Sequence, residues 1–355
     1  MLVSWGLLWS PVFFVFIIIS TGGMVVAILS SGILGVWLGL ELGFFGFLPI
    51  MNGKTVGENE ATIKYFIVQS LGSAFILVGF LLMDANYKVF SDSWAMALIV
   101  DILMLVGFMV KLGIFPFHFW FPSVMGGVSW FSCFWLGVVQ KVGPFWGVSG
   151  LGMGMGLYQG FIMFLIMTSL VGAVGGLAQV QFRPLLAYSS LNQTGWMGLV
   201  ALASPVAFLY YMGLYSLLLG GLLISLHLIN SYKINDLPGW DVGKGLWFWV
   251  LMGSFFLSLS GLPPLAGAVL KLAGAIIIIS SYPFFLVILI GSSMVSLYYY
   301  LNIFVNSAVG LGSGRFSLYD LSGTVWKDMA VLISLAGLNW VGGLPLFLFC
   351  GGLIS

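Results

Sequence analysis

Apolar runs of about twenty residues, separated by short polar stretches, repeat along almost the whole chain. A helix needs about 20 apolar residues to cross the hydrocarbon of a bilayer. Runs of that kind fall at residues 8 to 29, 31 to 51, 61 to 83, 94 to 113, 126 to 148, 154 to 179, 182 to 203, 204 to 230, 283 to 305 and 328 to 350. One further stretch, 245 to 280, is cut by Gly261-Leu262-Pro263-Pro264. The apolar and polar alternation of a membrane β-barrel strand is missing, so helices are the consistent way to satisfy the backbone in lipid. The pattern predicts an all-α polytopic membrane protein, residues 1–355 forming a single transmembrane domain.

Loop charge decides whether 245 to 280 is one interrupted crossing or two short ones. Up to Lys244, the residues Lys54, Lys64, Arg183, Lys233 and Lys244 fall on one side, against Lys88 on the other. One interrupted crossing adds Arg315 and Lys327 to the majority, whereas two crossings place them opposite. The positive-inside rule selects the interrupted helix. The expected total is eleven crossings, with the N-terminus on the positive side and the C-terminus opposite. The first residues carry neither an Arg-rich amphipathic presequence nor a basic n-region with a small-residue cleavage site, so the first run is expected to remain as a membrane helix.

Composition agrees with this picture and narrows the function. Apolar residues make up 61% of the chain and charged residues 6%, against roughly 25% charged in soluble domains. A net charge of +1 offers no basic field for nucleic acid. Two cysteines, Cys133 and Cys350, and two histidines supply no ligand set spaced for zinc, haem or an iron–sulfur cluster. The chain is expected to carry no redox centre of its own.

Most charges sit in loops or at helix ends, where they cost little. Four do not: Glu41, Lys111, Lys141 and Lys271 lie within apolar runs. A charge near the bilayer centre costs about 2.5 to 3.5 kcal/mol on insertion scales. Lys111 and Lys271 could snorkel to an interface, and Glu41 could merely pair with a lysine to hold helices together. The functional reading is that they exchange protons, because a buried lysine holds its proton less tightly and regains affinity beside a carboxylate. Pro144 follows Lys141, and Pro263-Pro264 precedes Lys271. Broken membrane helices are tolerated chiefly where they line a hydrated cavity or ion site.

The segment from Arg183 to Trp196 places Ser189, Ser190, Asn192, Gln193 and Thr194 on one helix. Such groups can hold a chain of waters, and hydrogen bonding between helices produces the same pattern. The glycine run from Gly150 to Gly156 lacks the preceding strand of a nucleotide loop and is expected to serve close packing at a helix start. His227 is read as interfacial. Asp101 lies ten residues, about 15 Å along a helix, before Lys111, either as a second acidic partner or at shallow depth.

Four segments carry a family resemblance: Glu60-Ala61-Thr62-Ile63-Lys64-Tyr65-Phe66, Lys111-Leu112-Gly113-Ile114-Phe115-Pro116-Phe117-His118-Phe119-Trp120-Phe121-Pro122, Leu186-Ala187-Tyr188-Ser189-Ser190, and Leu257 through Gly267 with its Gly-Leu-Pro-Pro. They closely resemble the mitochondrially encoded subunit 2 family of NADH–ubiquinone oxidoreductase, respiratory complex I. The agreement runs in order from about Trp37 to Lys271 and is weaker outside.

The resemblance implies an antiporter-like subunit of a proton-pumping membrane arm with discontinuous helices, in a shortened form that lacks the first three helices of bacterial relatives. It implies proton-handling roles for Glu41, Lys111, Lys141 on a discontinuous helix, and Lys271, with His118 as a secondary candidate. It further implies that NADH, FMN, iron–sulfur clusters and ubiquinone are bound by partner subunits, that the chain is a subunit of a proton-translocating NADH:ubiquinone reductase, and that it lies in the mitochondrial inner membrane with its positive loops toward the matrix. Its expected partners are the other membrane-arm subunits and lipid. A stand-alone secondary cation/proton antiporter is the rival reading. In two places the chain departs from relatives: Gln193 stands where many have histidine, and Ser123 where vertebrate members have glutamate.

Overall fold

The computed structural model describes residues 11–89, 94–152, 154–229, 232–234, 245–263 and 265–312, and positions 333, 334, 336, 337, 339 and 340. The helices delimited within them are α1 (Pro11–Leu29), α2 (Ile33–Met51), α3 (Val56–Val89), α4 (Trp94–Leu112), α5 (Trp120–Gly127), α6 (Trp130–Gly137), α7 (Val139–Ser149), α8 (Met155–Leu177), α9 (Phe182–Ala203), α10 (Pro205–Ile229), α11 (Gly245–Ser260), α12 (Ala266–Ser281) and α13 (Pro283–Gly312). Seven of them, α1, α2, α3, α4, α8, α10 and α13, contain a segment long and apolar enough to cross a membrane. Helix α9 spans 22 residues but is the most polar of the long helices toward its middle, and it is buried along nearly its whole length. A helix wrapped in protein rather than lipid can carry amides and hydroxyls at little cost.

Two expected crossings are interrupted. The stretch 245 to 280 divides into α11 and α12 around residues 261–265. The stretch 126 to 148, expected as one crossing, begins instead with the end of α5, and α6 restarts where the Ser129 hydroxyl caps the backbone N–H of Ser132. Helices α6 and α7 then meet at Val138, whose φ of −119° and ψ of −71° leave the helical range. Pro144 is not the break. It sits inside α7, where its missing N–H leaves a carbonyl of the first turn without its usual donor. The expected crossing at 328 to 350 lies largely outside the described residues, as do Lys244, Pro264, Arg315, Lys327, Cys350 and the side chain of Lys88.

The chain forms two compact units, Met1–Thr168 and Ser169–Ser355. In the first, α1 and α2 pack backbone to backbone: a Cβ on Gly39 or Gly46 would come within 2.5 Å of the Ala27 or Ser20 nitrogen, which is how small residues let membrane helices approach. Helix α4 ends on Gly113 at φ +68°, with Gly113 N–H donating to Val110 O at 3.3 Å and Ile114 N–H to Met109 O at 2.9 Å. That pair of bonds, with glycine in the left-handed region, is a Schellman end.

The second unit uses the same device. Helix α11 ends on Gly261 at φ +88°, with Gly261 N–H to Ser258 O at 2.8 Å and Leu262 N–H to Leu257 O at 3.3 Å. Helices α9 and α10 form a hairpin whose flanks are stitched by Phe182 N–H to Tyr232 O at 3.0 Å and Ile234 N–H to Val180 O at 2.9 Å. Arg183 and Lys233 therefore share one end of that hairpin, as the loop-charge reading expects, and the Arg183 guanidinium lies 4.4 Å from the Tyr232 ring centre.

Candidate functional site

In the first unit, Glu41 comes from the middle of α2 and Lys111 from the last turn of α4. Their side chains form an ion pair, Nζ to Oε1 at 3.3 Å, with side-chain exposures of 2% for the lysine and 15% for the glutamate. Lys111 does not snorkel; it turns inward. Gly72 on α3 leaves the space, since a Cβ there would stand 2.9 Å from Lys111 Cγ. The Gln69 amide donates to the Lys111 carbonyl at 3.2 Å, occupying one of the acceptors that a helix end leaves open. An ammonium in a last turn also meets the negative end of the helix dipole.

An aromatic row leads from this pair to Lys141. The Lys111 Nζ lies 5.9 Å from the Phe44 ring centre. Phe44 meets Tyr65 at 5.8 Å, Tyr65 meets Trp120 at 5.9 Å, and Trp120 meets Phe121 at 5.5 Å. The Lys141 Nζ stands 4.7 Å from the centre of Phe121. Cations are stabilised over ring faces at such distances, so each lysine rests on one end of the row, whose single hydroxyl is that of Tyr65. Lys141 is 2% exposed, in the first turn after the break at Val138.

Other sequence candidates separate from this cluster. His118 is buried between Phe115 at 5.8 Å and Phe119 at 4.0 Å, with a hydrogen bond from its ring to the Pro116 backbone. Ser123 is exposed, and its hydroxyl donates to Trp120 O of its own helix at 2.8 Å. Asp101 is half-buried and takes a backbone hydrogen bond from Gly154. The expected close packing at Gly150 to Gly156 is not what the chain does. A Cβ on Gly152, Gly154 or Gly156 would meet nothing within 4 Å.

In the second unit, Lys271 lies in the second turn of α12, and its ammonium donates to Ser260 O, the last residue of α11, at 2.5 Å. The helix end is what makes that carbonyl available. Gly261 makes room for the lysine: a Cβ there would stand 2.6 Å from Lys271 Cδ. A Cβ on Gly267 would overlap the Ser258 carbonyl, so α12 starts pressed against the end of α11.

The polar positions of α9 are buried and divide into two kinds. Ser189, Ser190 and Thr194 return their hydroxyls to carbonyls of their own helix at 2.9, 2.9 and 2.7 Å. Asn192 and Gln193 reach outward: Ser292 donates to Asn192 Oδ1 at 2.9 Å, and Tyr211 to Gln193 Oε1 at 2.8 Å. Around them lies a cavity lined by Ser189, Asn192, Gln193, Tyr215, Ser296 and Tyr299, together with Leu259 and Tyr300. The centre of a water molecule can occupy about 10 Å³ of it, about one water's requirement. The hydroxyls of Tyr299 and Tyr300 are paired with the side chains of Ser296 and Ser189. Neither tyrosine was among the candidates that the sequence offered. The available signal was Ser292-Ser293 and Ser296 on the same helix, at helical spacing from the tyrosines.

The chain matches the family model described as NADH:quinone oxidoreductase/Mrp antiporter, TM, over residues 30–296. It is 33% identical over 354 residues to NADH-ubiquinone oxidoreductase chain 2 of Branchiostoma lanceolatum, spanning 96% of this chain and 97% of that one. To chain 2 of Lumbricus terrestris it is 33% identical over 287 residues, 79% and 82% of the respective chains. Its fold is similar to that of a chain of respiratory complex I from Thermus thermophilus, with a TM-score of 0.79 and 24% identity over 96% of this chain and 81% of the other. It also resembles a chain of the Mrp complex of a Dietzia species, with a TM-score of 0.73 and 17% identity over 94% and 76%.

Proposed function

Because the chain belongs to the NADH:quinone oxidoreductase/Mrp antiporter membrane family, we propose that it works as an antiporter-like subunit of an NADH–ubiquinone oxidoreductase and moves protons through Glu41, Lys111, Lys141 and Lys271. It catalyses no chemical conversion alone. Electrons pass from NADH through FMN and iron–sulfur clusters to ubiquinone in partner subunits, and the chain responds electrostatically. The setting is the mitochondrial inner membrane, with the Lys- and Arg-rich loops on the matrix side.

The observation that carries this reading is the Glu41–Lys111 pair at 3.3 Å, with the lysine buried and the glutamate partly so. An ammonium held by a carboxylate loses its counter-charge when that carboxylate is neutralised or drawn elsewhere, and it then gives up its proton more readily. Passage from Lys111 to Lys141 requires water to enter the row of Phe44, Tyr65, Trp120 and Phe121, so the step is gated. In the second unit, Lys271 is held by a fixed carbonyl, and the cavity beside Gln193, with room for one water, is lined by the hydroxyl-bearing Ser189, Ser296, Tyr299 and Tyr300. Gln193 takes up no proton near neutral pH, so the relay there runs through water and hydroxyls.

The rival reading is a stand-alone cation/proton antiporter, and the likeness to the Mrp complex chain supports it at the level of fold. A sodium site needs membrane carboxylates free to bind. Glu41 is engaged by Lys111 and Asp101 by a backbone N–H, so the proton reading fits better.

Replacing Lys141 by Met in the assembled complex tests the proposal. Protons translocated per electron should fall, and an unchanged ratio would remove this route.

A further inference from the structure

We infer that the Ser20 hydroxyl is a positioning residue for the Lys141 ammonium, holding both halves of the interrupted α6–α7 segment onto α1 and α2. Ser20 is completely buried. Its Oγ accepts from Trp135 Nε1 at 2.8 Å and from Gln140 Nε2 at 3.3 Å, and donates to Gly43 O at 3.1 Å. The Gln140 amide reaches the same Gly43 carbonyl at 3.1 Å. A hydroxyl offers one donor and two acceptor sites, and all three are used.

The two donors stand on opposite sides of the break, Trp135 on α6 and Gln140 on α7. On an unbroken helix, side chains five positions apart point about 140° away from each other, and only i,i+3 and i,i+4 pairs meet. The turn at Val138 is what lets both converge on one oxygen. Ser20 thereby sets the rotation of α7 about its own axis. Lys141 follows Gln140 by one step of about 100°, so with Gln140 fixed toward α1 and α2 the ammonium is aimed at the Phe121 ring. Gly43 lies two residues from Glu41 on α2, so the same knot ties the helix of Lys141 to the helix of Glu41. The three knotted side chains are uncharged, and their part is geometric.

This inference rests on the reading that Lys141 lies on the proton path. The test uses the assembled complex in membrane vesicles, with Ser20→Ala, Gln140→Met and Lys141→Met measured side by side. Three readouts are taken: yield of complex, uncoupled NADH oxidation, and protons translocated per NADH. The expected result is that Ser20→Ala and Gln140→Met lose the share of protons per NADH that Lys141→Met loses, while yield and uncoupled oxidation hold. A merely structural serine would lower yield and oxidation and leave the ratio intact. Should Ser20→Ala fail to assemble, Gln140→Met decides alone, since it keeps the bond from Trp135 to Ser20. Full proton yield in Ser20→Ala and Gln140→Met beside a loss in Lys141→Met overturns the positioning role. Full yield in Lys141→Met removes the relay reading itself and this inference with it.

Discussion

Both units place a lysine beside a glycine-terminated helix end, and they stabilise its ammonium by different means. Lys111 belongs to the closing turn before Gly113 and is met by the carboxylate of Glu41. Lys271 reaches back across the break to the carbonyl of Ser260, one residue before Gly261. A carboxylate can be protonated or repelled, so the first arrangement can switch. A backbone carbonyl is fixed, so the second holds its lysine under constant conditions. The comparison teaches that one helix-ending device can set a lysine against either a titratable carboxylate or a fixed carbonyl, depending on what the neighbouring element supplies.

The sharpest way to break the comparison is to remove the responsive partner. Glu41→Ala strands a buried ammonium, and breaking a buried pair costs about 3–5 kcal/mol. The expected outcome is a marked drop in the thermal stability of the assembled complex. The double replacement Glu41→Leu with Lys111→Met should regain most of that stability and none of the proton yield. If the double variant also restores proton yield, the pair is only glue.

The glycine ends separate the two units next. Gly261→Ala forces a left-handed residue, worth about 1–2 kcal/mol, and in addition drives a Cβ into the Lys271 stem. Gly113→Ala carries the same backbone strain, but its Cβ would meet Phe121 Cβ only at 3.4 Å. Gly261→Ala should therefore destabilise more than Gly113→Ala in denaturation of the complex, and equal effects would argue against Lys271 lying against Gly261. Smaller still is Tyr300→Phe. It removes the hydrogen bond to Ser189 and should cost about 1 kcal/mol in denaturation of the complex, and no loss would argue against that bond. The smallest effect is expected at the exposed Lys64–Glu60 pair, 2.6 Å apart and one helical turn along α3. Glu60→Gln should leave the denaturation midpoint of the complex unchanged, because water screens an exposed pair.

Much of this organisation can be read directly from the residues. Long apolar runs make the membrane helices legible, and scarcity of charge makes Glu41, Lys111, Lys141 and Lys271 stand out, because lipid penalises each charge wherever it faces. Gly113 and Gly261 were visible as residues, yet their shared role as left-handed helix ends emerges only from backbone angles. Pro144 misdirects, since proline within the first turns of a short helix need not break it, while the break at Val138 has no compositional mark. Ser20, Trp135 and Gln140 form one knot although Ser20 lies more than a hundred positions from the other two, and no local pattern announces such a meeting.

The residues alone determined that this chain lives in lipid, that helices carry it across, and which four charges are costly enough to demand a use. These follow from transfer free energies, which each segment feels independently of its neighbours. Only the tertiary structure decided which charge meets a carboxylate, which meets a carbonyl, and which tyrosines face a cavity. Those outcomes depend on helices far apart in the chain coming within about 3 Å of one another, the range at which hydrogen bonds act.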